Sequence, residues 1–280
     1  MRTLLILATC VLLATGLMGC GDEPTVPSEP ADLSQWCDFE RPREDCTLDD
    51  ALLIEEISDI EQVCSSPCTH ARNLSFLNDG TRALGGMQGF VEVERLVVST
   101  PDNGPTNLEG LEDLERVSGF LDLSSNRSLQ NLEGLNNLKS VGNPDTNSGL
   151  LLVDSSVSSL DGLESLEWLQ ALEISNSPID SLAPLEGVEI REGLGITFTE
   201  IGSVAGMTFD DTELRAVDIS NNDELISIPA LEGVRSVSGG VVFQSNPKLS
   251  RCDIDKFVDG LETKPSAEWI RISGNMPCEP

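Results

Sequence analysis

A four-residue phrase, Leu-x-Gly-Leu, recurs along this chain at nearly constant intervals, and no other feature constrains the fold as tightly. It stands as Leu108-Glu-Gly-Leu111, Leu132-Glu-Gly-Leu135 and Leu160-Asp-Gly-Leu163. Weaker copies begin at Leu84, Leu182, Val204 and Ile228. Their first residues are 24, 24, 28, 22, 22 and 24 positions apart. The one long interval contains residues 142–149 (GNPDTNSG), a string of turn formers that reads as a loop insertion.

A second phrase follows the first in each unit. Phe120-Leu-Asp-Leu123, Leu150-Leu-Leu-Val153, Leu172-Glu-Ile174, Leu194-Gly-Ile196, Ala216-Val-Asp-Ile219 and Val241-Val-Phe243 are short apolar or alternating runs that predict strands. Ser and Asn close several of them, at Asn126, Asn176, Asn222 and Asn246, and residues 269–275 read as one more strand and turn. So short a strand cannot stand alone. Repeated once per coil it can pair in parallel with its copies at about 4.8 Å, while the leucines at the bends stack into one core. Asn at the corners is expected to bond neighbouring backbone, because it tolerates left-handed geometry.

Open solenoid ends need caps. Thr47 followed by Asp50 has the look of a helix N-cap, and Leu53, Ile57, Ile60 and Cys64 keep a 3–4 spacing, which predicts a helix closing the N-terminal end. Ile254, Phe257, Val258 and Leu261 predict a second, short helix at the far end. The resulting division is a leader over 1–19, a tether over 20–35, an N-terminal cap over 36–83, solenoid repeats over 84–251 and a C-terminal cap with the last strand over 252–280.

The repeat from 108 to 129, Leu-Glu-Gly-Leu-x-x-Leu-x-x-Val-x-Gly-x-Leu-x-Leu-Ser-x-Asn-x-x-Leu, resembles the receptor L domain repeat and bacterial leucine-rich repeat lipoproteins of the same type. The likeness covers roughly residues 84–275. It implies a right-handed solenoid of short parallel strands with cysteine-linked ends. It carries no ligand-contacting residues over, since fold alone does not give function.

Met1-Arg2-Thr3 is a short positive start, residues 4–13 are apolar, and residues 14–19 are small or apolar and lead into Cys20. That order marks a secretory signal, too short for a membrane span of roughly 20 apolar residues. Leu17-Met18-Gly19-Cys20 resembles the lipobox of bacterial lipoproteins, with Met18 where a small residue is usual. The resemblance implies cleavage before Cys20 and a lipid on its sulfur, hence a cell-envelope location. Gly21 after the cysteine is compatible with outer-membrane rather than inner-membrane sorting. Residues 21–34 hold three prolines and four acids with almost no large apolar side chain, the composition of an extended tether.

With Cys10 in the leader and Cys20 acylated, six of the eight cysteines remain, an even number in an oxidising compartment. Cys252 and Cys278 bracket the C-terminal helix and are expected to pair. Cys37, Cys46, Cys64 and Cys68 allow three pairings, of which a link from Cys37 or Cys46 to Cys64 or Cys68 suits a cap.

The net charge is −31, with 48 acidic against 17 basic residues, only four of them lysine. Nucleic acid and anionic lipid are repelled, and basic partners or cations are favoured; adaptation to a salty habitat fits the same composition. The catalytic inventory is thin. His70 is the sole histidine, tyrosine is absent, and there is no Gly-x-Ser-x-Gly elbow. Cys64, Cys68 and His70 have only a faint metal-ligand spacing, and Asp210-Asp211 and Asp223-Glu224 read as solvated acidic loops rather than calcium sites. Trp168 and Trp269 are expected in the core. We therefore expect no enzyme, cofactor or metal, but a monomeric, lipid-anchored module that recognises a protein or glycan. A structural envelope component is the alternative, with a polysaccharide hydrolase behind both.

Overall fold

The computed structural model describes residues 44–54, 66–77, 84, 87–101, 104–209 and 212–278. They form a parallel β-solenoid of about seven turns, its strands gathered into one 12-stranded sheet. The strands are β1 (Glu44–Ile54), β2 (Cys68–Phe76), β3 (Glu92–Val98), β4 (Arg116–Val117), β5 (Phe120–Asp122), β6 (Ser140–Val141), β7 (Gly149–Val153), β8 (Trp168–Ser175), β9 (Glu189–Thr197), β10 (Thr212–Ser220), β11 (Val234–Gln244) and β12 (Ile270–Ser273). Every pairing is parallel, and each coil pairs with the next.

Two coils interrupt their strand. β4 and β5 pair with different parts of β3, and β6 and β8 carry the first of these rows onward while β7 carries the second. Gly119 separates β4 from β5, and a Cβ there would lie 2.5 Å from the Glu94 carbonyl oxygen. The predicted insertion separates β6 from β7, so extra chain is accommodated without breaking the stack.

Alternation decides what is buried. Leu96, Leu121, Leu150, Leu172, Leu194 and Val217 occupy one register row and are buried, as are Val98, Leu123, Leu152, Ile174, Ile196 and Ile219 two positions on. Leu108, Leu132, Leu160, Leu182, Val204 and Ile228, the leading residues of the repeated phrase, close the core from the bends. The phrase's Gly residues have a structural reason. Gly134 and Gly162 sit at φ +109° and +108°, and a Cβ on either would collide with the leucine carbonyl of the coil before.

The corner asparagines form a buried ladder. Asn126 Nδ2 donates to the Val98 and Leu123 carbonyls, and its Oδ1 accepts from Thr100 N at 2.9 Å and Thr100 Oγ1 at 2.7 Å. Asn222 repeats this with Ile196 and Thr199, and Asn246 with Ile219 and Asn222. Asn275 receives Asn246 in turn. Each side chain caps backbone that the bend has taken out of the sheet's own pairing.

The ends differ from one another. At the far end, helix α1 (Arg251–Gly260) buries Ile254 and Phe257 over the last coils, capped by the Ser250 side chain, which accepts from Cys252 N. Cys252 and Cys278 are joined, with Cα atoms 5.0 Å apart. At the near end the first part of the expected helix is corrected. Residues 44–54 are strand β1, whose Leu52, Leu53 and Ile54 register with Leu74, Ser75 and Phe76 of β2. A short apolar run does not distinguish helix from strand by periodicity, and the open edge of β2 gains a full ladder from a strand. The remainder of that expected helix, residues 55–65, lies outside the described residues. Among the described residues the sheet thus begins at Glu44, well before the first repeated phrase at Leu84.

Candidate functional site

Outward positions of the sheet carry the chemistry a solenoid offers to others. In one row Phe120, Gly149, Ala171, Gly193, Ala216 and Gly240 follow each other across adjacent strands. Two positions on, the row is Asp122, Leu151, Glu173, Gly195, Asp218 and Val242. Small side chains in the first row leave a groove of about 420 Å³ over β7 to β10, its sides raised by Phe120, Asn147 and Arg215.

The glycines of this floor fall into two kinds. Gly149 is required by the fold, since it has φ +153° and a Cβ there would strike the Ala171 carbonyl. Gly193, Gly195 and Gly240 have no such reason. None has a positive φ. An added Cβ would come nearest to Ala171 Cβ at 3.8 Å, Glu173 Cγ at 3.5 Å and the Trp269 carbonyl oxygen at 3.8 Å, ordinary contacts all. Glycine inside a strand costs stability and gives up packing, and it marks places where something else approaches the backbone.

One rim of the groove is built from a polar chain across four segments. Gln170 Nε2 donates to Glu192 Oε2 at 3.0 Å, Arg215 Nη2 lies 2.7 Å from Glu192 Oε1, and Arg215 Nη1 donates to Asn147 Oδ1 of the insertion. Arg215 is thereby neutralised and held. Glu173 carries no hydrogen bond or ion pair among the described residues. Asp218 accepts only from Ser220 Oγ, at 2.6 Å. With β9 between their strands, the two lie two inter-strand spacings apart, about 10 Å.

Phe198 follows β9 at the position where neighbouring coils have Ser125, Asp154, Asn176, Asn221, Ser245 and Gly274. It sits at φ 54° and is 58% exposed, an unusual place for a bulky ring. Trp269, expected in the core, is 55% exposed, in the turn just ahead of β12, the last strand among the described residues. Trp168 is half-buried and lies beneath the Arg191 guanidinium, 4.1 Å from the ring centroid.

A second cleft, of about 480 Å³, opens between α1 and the bend around Pro229, and is crossed by the Lys256–Glu232 ion pair. The paired groups hold each other charged, with the Lys256 ammonium keeping Glu232 below the usual carboxylate range and itself held above the usual lysine value.

Of the residues singled out in the sequence, Cys46 bonds Cys68 across β1 and β2, with Cα atoms 4.7 Å apart. That commits the Cys68 sulfur, while His70 Nδ1 lies 2.9 Å from Thr69 Oγ1. Cys20, Cys37, Cys64 and the Asp210-Asp211 pair lie outside the described residues. Glu224 is paired with Lys248 at 2.5 Å. Among the described residues no helix is long and apolar enough to cross a membrane, and no cluster of three or more His, Cys, Asp or Glu could hold a metal.

No family model and no curated protein matches the chain. Among solved structures, an internalin from Listeria monocytogenes superposes with a TM-score of 0.36 at 15% identity, over 81% of this chain and 73% of that one. A superposition this loose fixes neither family nor ligand.

The sequence did not single out the groove. Leu194-Gly-Ile196 reads as a strand, and the glycine inside it is the one signal that could have pointed to the floor. Glu173 and Asp218 are invisible among 48 acids until the register sets them on either side of Gly195.

Proposed function

We propose that this chain is a lipid-anchored, non-catalytic module of a bacterial cell envelope, which presents the outer face of its sheet to a protein or glycan. The observation that carries the recognition half is the groove floor, where Gly193 and Gly195 stand bare although the backbone does not call for glycine. A strand face selected only for stability would favour β-branched side chains there. The anchoring half rests on Met1-Arg2-Thr3, the apolar run and Leu17-Met18-Gly19-Cys20. A lipid at Cys20 and a proline-rich tether would set the solenoid away from the bilayer with its sheet face open to partners.

The net charge of −31 favours a second reading, an inert acidic envelope component without a specific ligand. Capture from detergent-solubilised envelope separates the two. The wild-type chain is expected to retain a defined component and the Gly195→Val chain to lose it; identical recovery by both would leave the inert reading standing. Anchoring has its own test. Cys20→Ser is expected to release the protein from the membrane fraction and abolish lipid labelling, and unchanged sedimentation with membranes would overturn it.

A further inference from the structure

We propose that the groove takes an extended cationic segment of another protein, with an arginine or lysine side chain laid over Gly195 between Glu173 and Asp218. This rests on the recognition reading above and names its partner.

Three properties of the groove select that chemistry. Its floor is apolar or bare, formed by Leu151, Ala171, Gly193 and Ala216, and suits the methylene stem of a long basic side chain. Its uncompensated charge is negative: Arg215 is already held by Glu192 and Asn147, whereas Glu173 and Asp218 form no ion pair among the described residues. Its gap lies at Gly195, the position between those two carboxylates in one register row. A cationic head resting there is flanked by a carboxylate on each side.

Other occupants fit less well. Nucleic acid and acidic glycans meet repulsion from the groove and from the molecule as a whole. A neutral glycan leaves both carboxylates unanswered. Calcium needs oxygen ligands at about 2.3–2.6 Å, and two carboxylates based about 10 Å apart do not converge on one ion. The strands beneath the groove are interior to the sheet, with partners on both sides, so an incoming chain cannot add as a strand. Recognition therefore runs through side chains laid across the strands.

The test uses the Cys20→Ser chain and two capped hexapeptide probes, one alternating Arg with Ala and the other Glu with Ala, titrated by calorimetry at low and at physiological salt. The Arg-Ala peptide is expected to bind, more weakly as salt rises, and the Glu-Ala peptide to give no heat. Glu173→Gln with Asp218→Asn is expected to weaken binding about tenfold, the loss of two partly exposed ion pairs. Glu109→Gln with Glu133→Gln removes the same charge from exposed bends and is expected to change nothing. Gly195→Val fills the gap and favours the strand, so it should abolish binding with an unaltered or higher melting temperature.

If both charge-neutralised pairs weaken the peptide equally, or Gly195→Val binds it normally, attraction to the acidic surface at large explains the heat and the proposal falls. Failure of the Arg-Ala peptide to bind also overturns it. In either case, loss of the envelope component on Gly195→Val alone would keep the recognition reading and discard only its cationic partner.

Discussion

Four asparagines, Asn126, Asn222, Asn246 and Asn275, hold the corner of this solenoid from within. Removing the Asn222 side chain would orphan the Ile196 carbonyl and the Thr199 N–H in a place water does not reach. Each buried orphan costs roughly 1–3 kcal/mol, so Asn222→Ala is expected to lose about 2–6 kcal/mol, seen as a lower urea midpoint with an unchanged slope. Asn176, which has the same residue type, stands one position earlier, at φ 50°, with its amide turned to Asp154 on the surface. Its replacement should cost much less. Phe198 shows the opposite balance, a bulky residue in left-handed geometry that its neighbours give to Ser, Asn, Asp or Gly. Phe198→Asn is expected to stabilise by about 1 kcal/mol, raising the melting temperature by roughly 2–4 °C. A fall instead would mean that the exposed ring packs usefully.

The elements close the two ends by different physics. Among the described residues β1 ends the sheet by giving β2 a partner, and the Cys46–Cys68 bond ties the pair. α1 instead lays Ile254 and Phe257 over the last coils, with Phe257 edge-on to Phe243 at 5.8 Å, and Cys252–Cys278 closes a loop of 26 residues behind it. Chain-entropy arguments give a loop of that length about 3.5 kcal/mol. Cys252→Ser with Cys278→Ser is therefore expected to lose roughly 2–4 kcal/mol in thermal unfolding under oxidising conditions. The loss should start at α1 and β12, visible as earlier hydrogen exchange there than at β8 or β9.

At the scale of the molecule, charge opposes compactness. With a net charge of −31, added salt is expected to raise the melting temperature, since it screens repulsion among the many carboxylates more than it weakens the few cross-coil pairs. Those pairs, among them Lys139–Glu115 and Lys256–Glu232, each bridge one coil to the next at the surface. Glu232 lies below its ordinary pKa because Lys256 hydrogen-bonds it, so its contribution is present above the unfolded carboxylate value and is lost as pH falls through the lowered one. Lys256 and Lys139 lie above theirs, so their contributions are present below the ordinary lysine value and are lost as pH rises through the raised ones. The melting difference between wild type and Glu232→Gln should accordingly shrink toward zero at both extremes of pH. A difference that persisted in acid would assign the effect to packing.

The repeat, the parallel strands, the placement of the insertion and the helix at the far end were all legible in the unfolded chain. Each of these is written in local periodicity: Leu-x-Gly-Leu at intervals of 22 to 28, alternation in the strands, and Ile254, Phe257, Val258 and Leu261 on one helical face. That residues 44–54 extend the sheet emerges in the folded molecule alone, because the choice turned on the open edge of β2 and not on the run itself. The exposure of Trp269, just ahead of the last described strand, was likewise not written in its local sequence. The groove too is a product of register. Leu151, Glu173, Gly195 and Asp218 come from four coils, and nothing local relates them until parallel pairing sets them in one row.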